Sequence, residues 1–153
     1  NARLVKRLET LNPSVVAVYL PSADEIDIIP FIRESLARNI TVASPRWNGT
    51  EYDLSQLFGL EEEFLKTGPM GIREPLEENI VSPSSVDMWI VPGLAFSPNG
   101  ARIGYGGGWY DRLMSTASPF SHKIAVARSF QIYNHLPEFE KDVPITEIID
   151  DKI

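Results

Sequence analysis

Leu4, Leu8 and Leu11 recur at helical spacing, and Asn12-Pro13 ends that helix before an apolar, β-branched run at 15–20 that reads as a buried strand. Pro30 suits the first turn of a second helix, whose apolar stripe of Phe31, Ile32 and Leu36 stops near Arg38-Asn39. A strand at 40–43 completes a βαβ unit, and its right-handed crossover makes the two strands parallel neighbours in a covered sheet. Residues 52–71 are less regular. They predict a helix that exposes Glu61, Glu62 and Glu63 and is anchored by Phe64 and Leu65. After a polar connection at 75–85 come a buried strand at 88–91, a helix at 109–114 and a further strand at 124–127. No repeat, low-complexity tract or linker interrupts this alternation. The expected fold class is α/β, one three-layer α/β/α domain over residues 1–153 with a mostly parallel central sheet and a ligand crevice at the strand C-termini.

Composition narrows the picture. A chain of 153 residues that is 43% hydrophobic can bury a core without a disulfide or structural metal. It has no cysteine, which excludes thiol nucleophiles, Cys-based zinc sites and disulfides and fits a reducing cytoplasm. No apolar run approaches the roughly 20 residues of a membrane helix, so a soluble cytoplasmic protein with no membrane partner is expected, monomeric or a weak homo-oligomer. The net charge of −7, with no stripe of Lys and Arg, argues against a nucleic-acid partner. A small anionic ligand needs only local cations, and Arg46, Arg73, Arg102, Arg112 and Lys123 lie near the segments of interest.

The densest chemistry lies between Val91 and Arg112, VPGLAFSPNGARIGYGGGWYDR. Gly104, Gly106, Gly107 and Gly108 free the backbone to adopt positive φ and to turn successive N–H groups onto an anion, and the helix at 109–114 would aim its N-terminus at the same point. Arg102 would add a mobile cation. The same glycines also suit a hairpin or a strand-to-helix corner with no ligand. The run is neither a Walker loop nor a dinucleotide fingerprint, since no Lys-Ser pair or further glycine stands at the required place.

Val-Pro-Gly-x-Ala-Phe, then Gly-x-Arg, then Ile-Gly-Tyr-Gly-Gly-Gly-Trp-Tyr-Asp-Arg together resemble the signature of the 5-formyltetrahydrofolate cyclo-ligase (methenyltetrahydrofolate synthetase) family. Weaker echoes follow in family order: Tyr19-Leu20-Pro21 with Glu25-Ile26-Asp27, Ser44-Pro45-Arg46, Gly71-Ile72-Arg73-Glu74-Pro75, and Leu136-Pro137 leading to Lys141-Asp142.

The resemblance implies ATP- and Mg²⁺-dependent cyclisation of 5-formyltetrahydrofolate to 5,10-methenyltetrahydrofolate, releasing ADP and phosphate. The formyl oxygen would be phosphorylated and displaced by N10, so alignment and charge neutralisation matter more than a covalent nucleophile. By the same resemblance Arg102, Gly104, Tyr105, Gly106, Gly107, Gly108, Trp109 and Tyr110 would bind ATP. Leu20, Glu25, Gly106, Gly107, Gly108, Trp109 and Tyr110 would meet the folate, with Glu25 on polar N–H groups of the pterin or N10. Arg102 and Asp111 would be catalytic, and Asp111 would hold Mg²⁺; a helix-start Asp is otherwise a cap, and Glu25 otherwise a surface carboxylate. Of Trp109 and Tyr110, one is expected to stack on a ligand ring and one to pack in the core. His122 and His135 receive no role.

Three departures from the family are visible. The chain starts at Asn1 with only Arg3, Lys6 and Arg7, so the family's longer basic arm toward ATP is expected to be lacking. Lys141-Asp142 leads to Ile145-Thr146 where a second metal-associated Asp is expected, leaving Glu147 or Asp142 to compensate. Trp109 stands where Tyr is commoner. The competing expectations are a binding homologue without turnover and, more remotely, a sugar-phosphate isomerase-like enzyme.

Overall fold

The computed structural model describes residues 1–151. Its elements are α1 (Ala2–Leu11), β1 (Val15–Ala17), α2 (Ile29–Ala37), β2 (Thr41–Trp47), β3 (Tyr52–Leu57), β4 (Leu65–Thr67), β5 (Arg73–Pro75), β6 (Met88–Val91), β7 (Ala95–Phe96), β8 (Arg102–Ile103), α3 (Trp109–Met114), β9 (His122–Val126) and β10 (Glu147–Ile149). Six strands form one sheet in the order β10-β9-β6-β1-β2-β3. All neighbours are parallel except β2 and β3, which pair antiparallel from Val42 opposite Leu57 to Trp47 opposite Tyr52. β4 with β5 and β7 with β8 form two small antiparallel ribbons. The protein is α/β with a mostly parallel sheet, as the alternation of apolar segments implies.

Period-two alternation divides the core into two halves. Val16, Val42, Met88, Ile90 and Ile124 point to the face covered by α1 and α2, together with Leu4, Leu8, Phe31 and Ile32. Ala17, Ala43, Trp89, Val91 and Ala125 point to the opposite face, where Phe96, Leu113, Met114 and Ile145 cover them. The two layers are unequal: two full helices lie on one side, and the six-residue α3 lies on the other.

From β1 the chain runs outward through β2 to β3, then returns to the other side of β1 as β6 before continuing to β9 and β10. That reversal, with crossover helices on opposite faces, creates a switch point between β1 and β6, and the chain opens a crevice beyond their C-terminal ends.

The α1 boundary and the βαβ unit follow the sequence pattern. Asn12 closes α1 in the left-handed region (φ 46°), with its N–H on the Leu8 carbonyl at 3.1 Å. Pro30 lies in the first turn of α2, and Val15 pairs in parallel with Thr41. Elsewhere tertiary pairing moved the limits. β1 leaves the ladder after Ala17, although Val18, Tyr19 and Leu20 stay buried. β2 continues through Pro45 to Trp47, tolerating the proline because β1 no longer flanks it beyond Ala43. The expected acidic helix is only a 3₁₀ turn at Glu62–Phe64, since Leu65 is drawn into β4 and the Arg73 guanidinium holds Glu62 from across the ribbon at 2.9 and 3.1 Å. Glu61, Glu62 and Glu63 are exposed, as expected.

Candidate active site

Tyr19 lies two residues beyond β1, Pro92-Gly93 directly beyond β6, and Arg128 two residues beyond β9; together with Glu25 and Tyr105 they wall the crevice at the switch point. Tyr19 donates its hydroxyl to the Ile26 carbonyl at 2.9 Å, and the Ser22 N–H donates to Glu25 Oε1 at 2.9 Å. The loop carrying Glu25 is thereby tied both to the strand end and to itself. Burial, reinforced by Glu25, pushes the Tyr19 phenol well above its ordinary value, so it remains a donor.

The β7–β8 ribbon delivers the glycine loop to the same crevice. Gly106, Gly107 and Gly108 all have positive φ (99°, 78° and 67°), and Gly108 enters α3 directly. A Cβ at Gly107 would meet the Trp109 indole at 2.9 Å, so both conformation and space demand glycine there. Tyr105 is exposed on this loop, its hydroxyl pushed up first by burial and then by Glu25. The loop thus meets the Glu25 segment across the crevice.

Trp109 takes the other side of the loop. It lies edge-to-face against Trp47 and Tyr52, at centroid distances of 5.3 and 5.4 Å, and the Arg112 guanidinium stacks over it at 4.2 Å. Arg112 also donates to the Gly107 carbonyl. Beside this cluster is a second hollow, between β3 and α3, lined by Tyr52, Trp109, Arg112 and Leu113. Tyr110 turns inward with a fully buried, unpartnered hydroxyl that burial pushes far up.

The structure sets Arg102 apart from the expected mobile cation. Its side chain is 6% exposed, Nη1 donates to the Pro92 carbonyl at 3.1 Å, and Nη2 pairs with Asp111 Oδ2 at 3.3 Å. Asp111 Oδ1 accepts the Val143 N–H at 3.0 Å, while the Oδ2 of Asp142, the residue before Val143, accepts the Phe139 N–H at 3.0 Å. Glu147 instead pairs with Arg7 of α1. Thr146 spends its hydroxyl on main chain, accepting the Lys123 N–H at 2.8 Å and donating to the Lys123 carbonyl at 3.2 Å, at the start of β9. Leu20 is buried in the core on the α1–α2 face and does not line the crevice. His122 and His135 are exposed.

Four residues escaped the sequence reading. Tyr19, Arg128 and Gln131 follow strands whose C-terminal ends form the crevice, and that position was the available signal. Glu74, like Tyr19, enters the sequence reading only as part of a weaker echo. It is 1% exposed, pairs with Lys66 at 3.3 Å and accepts the Trp47 N–H at 3.1 Å, anchoring β5 under β2.

Comparison with known proteins gives one consistent result. The profile described as the 5-formyltetrahydrofolate cyclo-ligase family matches residues 1–151. A probable 5-formyltetrahydrofolate cyclo-ligase of Caenorhabditis elegans is 29% identical over 148 residues, 88% of this chain and 71% of that protein. The 5-formyltetrahydrofolate cyclo-ligase of Escherichia coli K12 is 29% identical over 153 residues, 94% of this chain and 83% of the other. The NMR structure of Aquifex aeolicus 5,10-methenyltetrahydrofolate synthetase superimposes with a TM-score of 0.81 at 33% identity, covering 99% of this chain and 78% of that one.

Proposed function

Since the chain belongs to the 5-formyltetrahydrofolate cyclo-ligase family, we propose that it is a working enzyme that converts 5-formyltetrahydrofolate into 5,10-methenyltetrahydrofolate at the expense of ATP. The observation that carries this reading is the approach of Tyr105, at the start of the Gly106–Gly107–Gly108 loop, to the Glu25 segment at the switch-point crevice. It juxtaposes backbone able to converge on phosphate with a carboxylate able to accept N–H bonds from a reduced pterin or N10.

The chemistry requires the formyl oxygen, a poor leaving group, to take the γ-phosphoryl group, after which N10 attacks the formyl carbon and inorganic phosphate departs. These residues would orient the two substrates and offset the charge that spreads over the transferring group. Glu25, held by Ser22, would fix the folate, and the glycine loop would receive the phosphates. Trp109, packed edge-to-face with Trp47 and Tyr52, would stack on a ligand ring only where Arg112 moves off it, while Tyr110 supports the loop from the core.

The donor set suits Mg²⁺. That ion takes one or two carboxylates and completes its shell with phosphate and water. Asp111 would offer its partly exposed carboxylate, and Asp142, next in the chain to the Val143 that Asp111 holds, would have to turn from the Phe139 N–H that its Oδ2 accepts to supply a second one. Bound there, Mg²⁺ would neutralise phosphate charge. Thr146 has its hydroxyl on the main chain and Glu147 is paired with Arg7, so of the two candidates Asp142 is the one that would compensate.

The direct test mixes the purified chain with 5-formyltetrahydrofolate, ATP and Mg²⁺ and follows methenyltetrahydrofolate absorbance against controls without ATP and without Mg²⁺. A signal that needs both is expected. Folded protein that binds nucleotide or folate but yields no product would show a binding homologue instead.

A further inference from the structure

We propose that Arg112 is a positioning residue of the glycine loop, holding the Gly107–Gly108 peptide so that its N–H is presented to the nucleotide phosphates; this rests on the ATP-dependent reading above. Gly106, Gly107 and Gly108 all lie at positive φ, and a Cβ on Gly106 or Gly108 would meet nothing within 4 Å. Packing therefore does little to fix this stretch, and glycine has the most conformational freedom to lose on ordering. The N–H groups of the three glycines have no partner among the described residues. Gly106 and Gly107 together make one hydrogen bond there, in which the Gly107 carbonyl accepts from Arg112 Nη2.

The reach of Arg112 follows from its place in α3. It is the fourth residue of the helix and stands three after Trp109, so the two side chains share a face. Helical side chains lean toward the N-terminus, which sends the arginine back over the first turn to the loop. There the guanidinium lies over the Trp109 indole at 4.2 Å, and the indole is itself held edge-to-face by Trp47 and Tyr52. The same indole is what a Cβ on Gly107 would strike. β2, β3 and α3 thus brace the guanidinium, and the guanidinium braces the loop.

The chemical consequence is carried by one peptide plane. The 107–108 bond is trans, so its C=O and N–H point in opposite directions. Fixing the carbonyl on Arg112 turns the Gly108 N–H to the side of the loop away from the guanidinium. A reversed peptide would set a carbonyl oxygen there and repel phosphate. Because the bond forms in the free protein, nucleotide binding is spared the cost of ordering the peptide. Arg112 is poorly placed to be a phosphate ligand itself. It lines the hollow between β3 and α3 with Glu51 and Asp53, whose two carboxylates outweigh its charge, and it forms no ion pair among the described residues. That hollow repels anions.

Arg112→Met keeps a stem over the indole and removes the donor, whereas Arg112→Lys keeps a donor without the planar fork. Arg112 is exposed, so both variants should unfold within a few degrees of the parent. For Arg112→Met, calorimetric titration should show ATP bound about tenfold more weakly, the loss of one charge-assisted hydrogen bond. Affinities for adenosine and 5-formyltetrahydrofolate should stay within about twofold, and Arg112→Lys should recover part of the loss. Amide NMR of the ligand-free protein supplies the deciding readout: the order parameters of Gly107 and Gly108 should fall in Arg112→Met and recover in part in Arg112→Lys. Unchanged ATP affinity would overturn the proposal, and so would equal weakening of ATP and adenosine. Weakened ATP binding with the loop amides unmoved would overturn it too, since Arg112 would then be a direct ligand. Wild-type protein that binds no nucleotide would overturn the ATP-dependent reading together with this one, whereas the other outcomes leave that reading standing.

Discussion

Arg102 and Asp111, nine residues apart and on different elements, face one another across 3.3 Å with the guanidinium almost wholly buried. The two residues best placed by motif for charge chemistry therefore neutralise each other, and their pair pins β8 to α3 at the root of the glycine loop. Asp111 is consequently more than a helix cap: it holds Arg102 through one oxygen and the segment at Val143 through the other. If it holds Mg²⁺ as proposed, a residue with that many obligations would link metal binding to loop geometry.

Replacing Asp111 by Asn should reveal both functions. The amide oxygen can still accept the Val143 N–H, but the buried Arg102 charge loses its counter-charge. We expect a stability loss of about 2 kcal/mol, less than for a fully enclosed pair because Asp111 is partly exposed. Turnover should need far more Mg²⁺, with 5-formyltetrahydrofolate binding little changed. Chemical denaturation and a Mg²⁺ titration of the rate check the two halves; equal loss of turnover and folate binding would leave Asp111 only a structural role.

Gly107→Val tests the loop. Its φ of 78° and the indole beneath it both exclude a branched side chain. Nucleotide affinity should be abolished while the midpoint of thermal unfolding falls only a few degrees, because the loop lies outside both core halves. Calorimetric titration with ATP decides it, and undiminished affinity would sink the phosphate-loop reading.

Much of this could be read from the chain. The spacing of Leu4 and Leu8, the βαβ unit and the limits of α3 were legible because local period and capping residues agree with the final packing. β3 was not, since Tyr-Asp-Leu-Ser-Gln-Leu alternates weakly and becomes a strand only by pairing with β2. Arg102 was read as mobile because its counter-charge comes from another element, and a local motif carries no record of such a contact. Arg128 belongs to no motif at all. It becomes significant only once the strand order shows that the ends of β1, β6 and β9 converge.

Tyr19→Phe removes the hydroxyl that holds the Ile26 carbonyl and leaves the ring in place. The lost hydrogen bond should cost about 1 kcal/mol. The KM for 5-formyltetrahydrofolate should rise about threefold to fivefold with kcat nearly constant, because the Glu25 loop is loosened and not removed. Steady-state kinetics against both substrates provide the check, and an unchanged folate KM would mean that Glu25 does not touch the folate.

Lys123 gives a pH signature. It is 7% exposed, its ammonium donates to the Ser121 hydroxyl at 3.2 Å, and burial lowers its pKa from the ordinary 10.5. The unfolded chain then holds the proton more tightly than the fold does. Stability should climb as pH rises from the lowered value toward 10.5, where the gain is complete. Lys123→Met should stabilise the protein by about 1 kcal/mol at neutral pH and abolish that alkaline climb. Urea midpoints measured across the range for both proteins test the sign, and parallel curves would refute it.

The placement of β6 against β1 has a consequence for how the protein is made. Val16 finds its partner Met88 only about seventy residues later in the chain. At a synthesis rate of roughly 5–20 residues per second, the first strand waits on the order of 4–15 s with one edge unpaired while β2 and β3 already close the other. The nascent N-terminal half is thus a three-stranded sheet with an open, apolar rim, the state most vulnerable to adhesion between chains. Slowing translation between β3 and β6 should lower soluble yield more than slowing it after β9, when that rim is sealed.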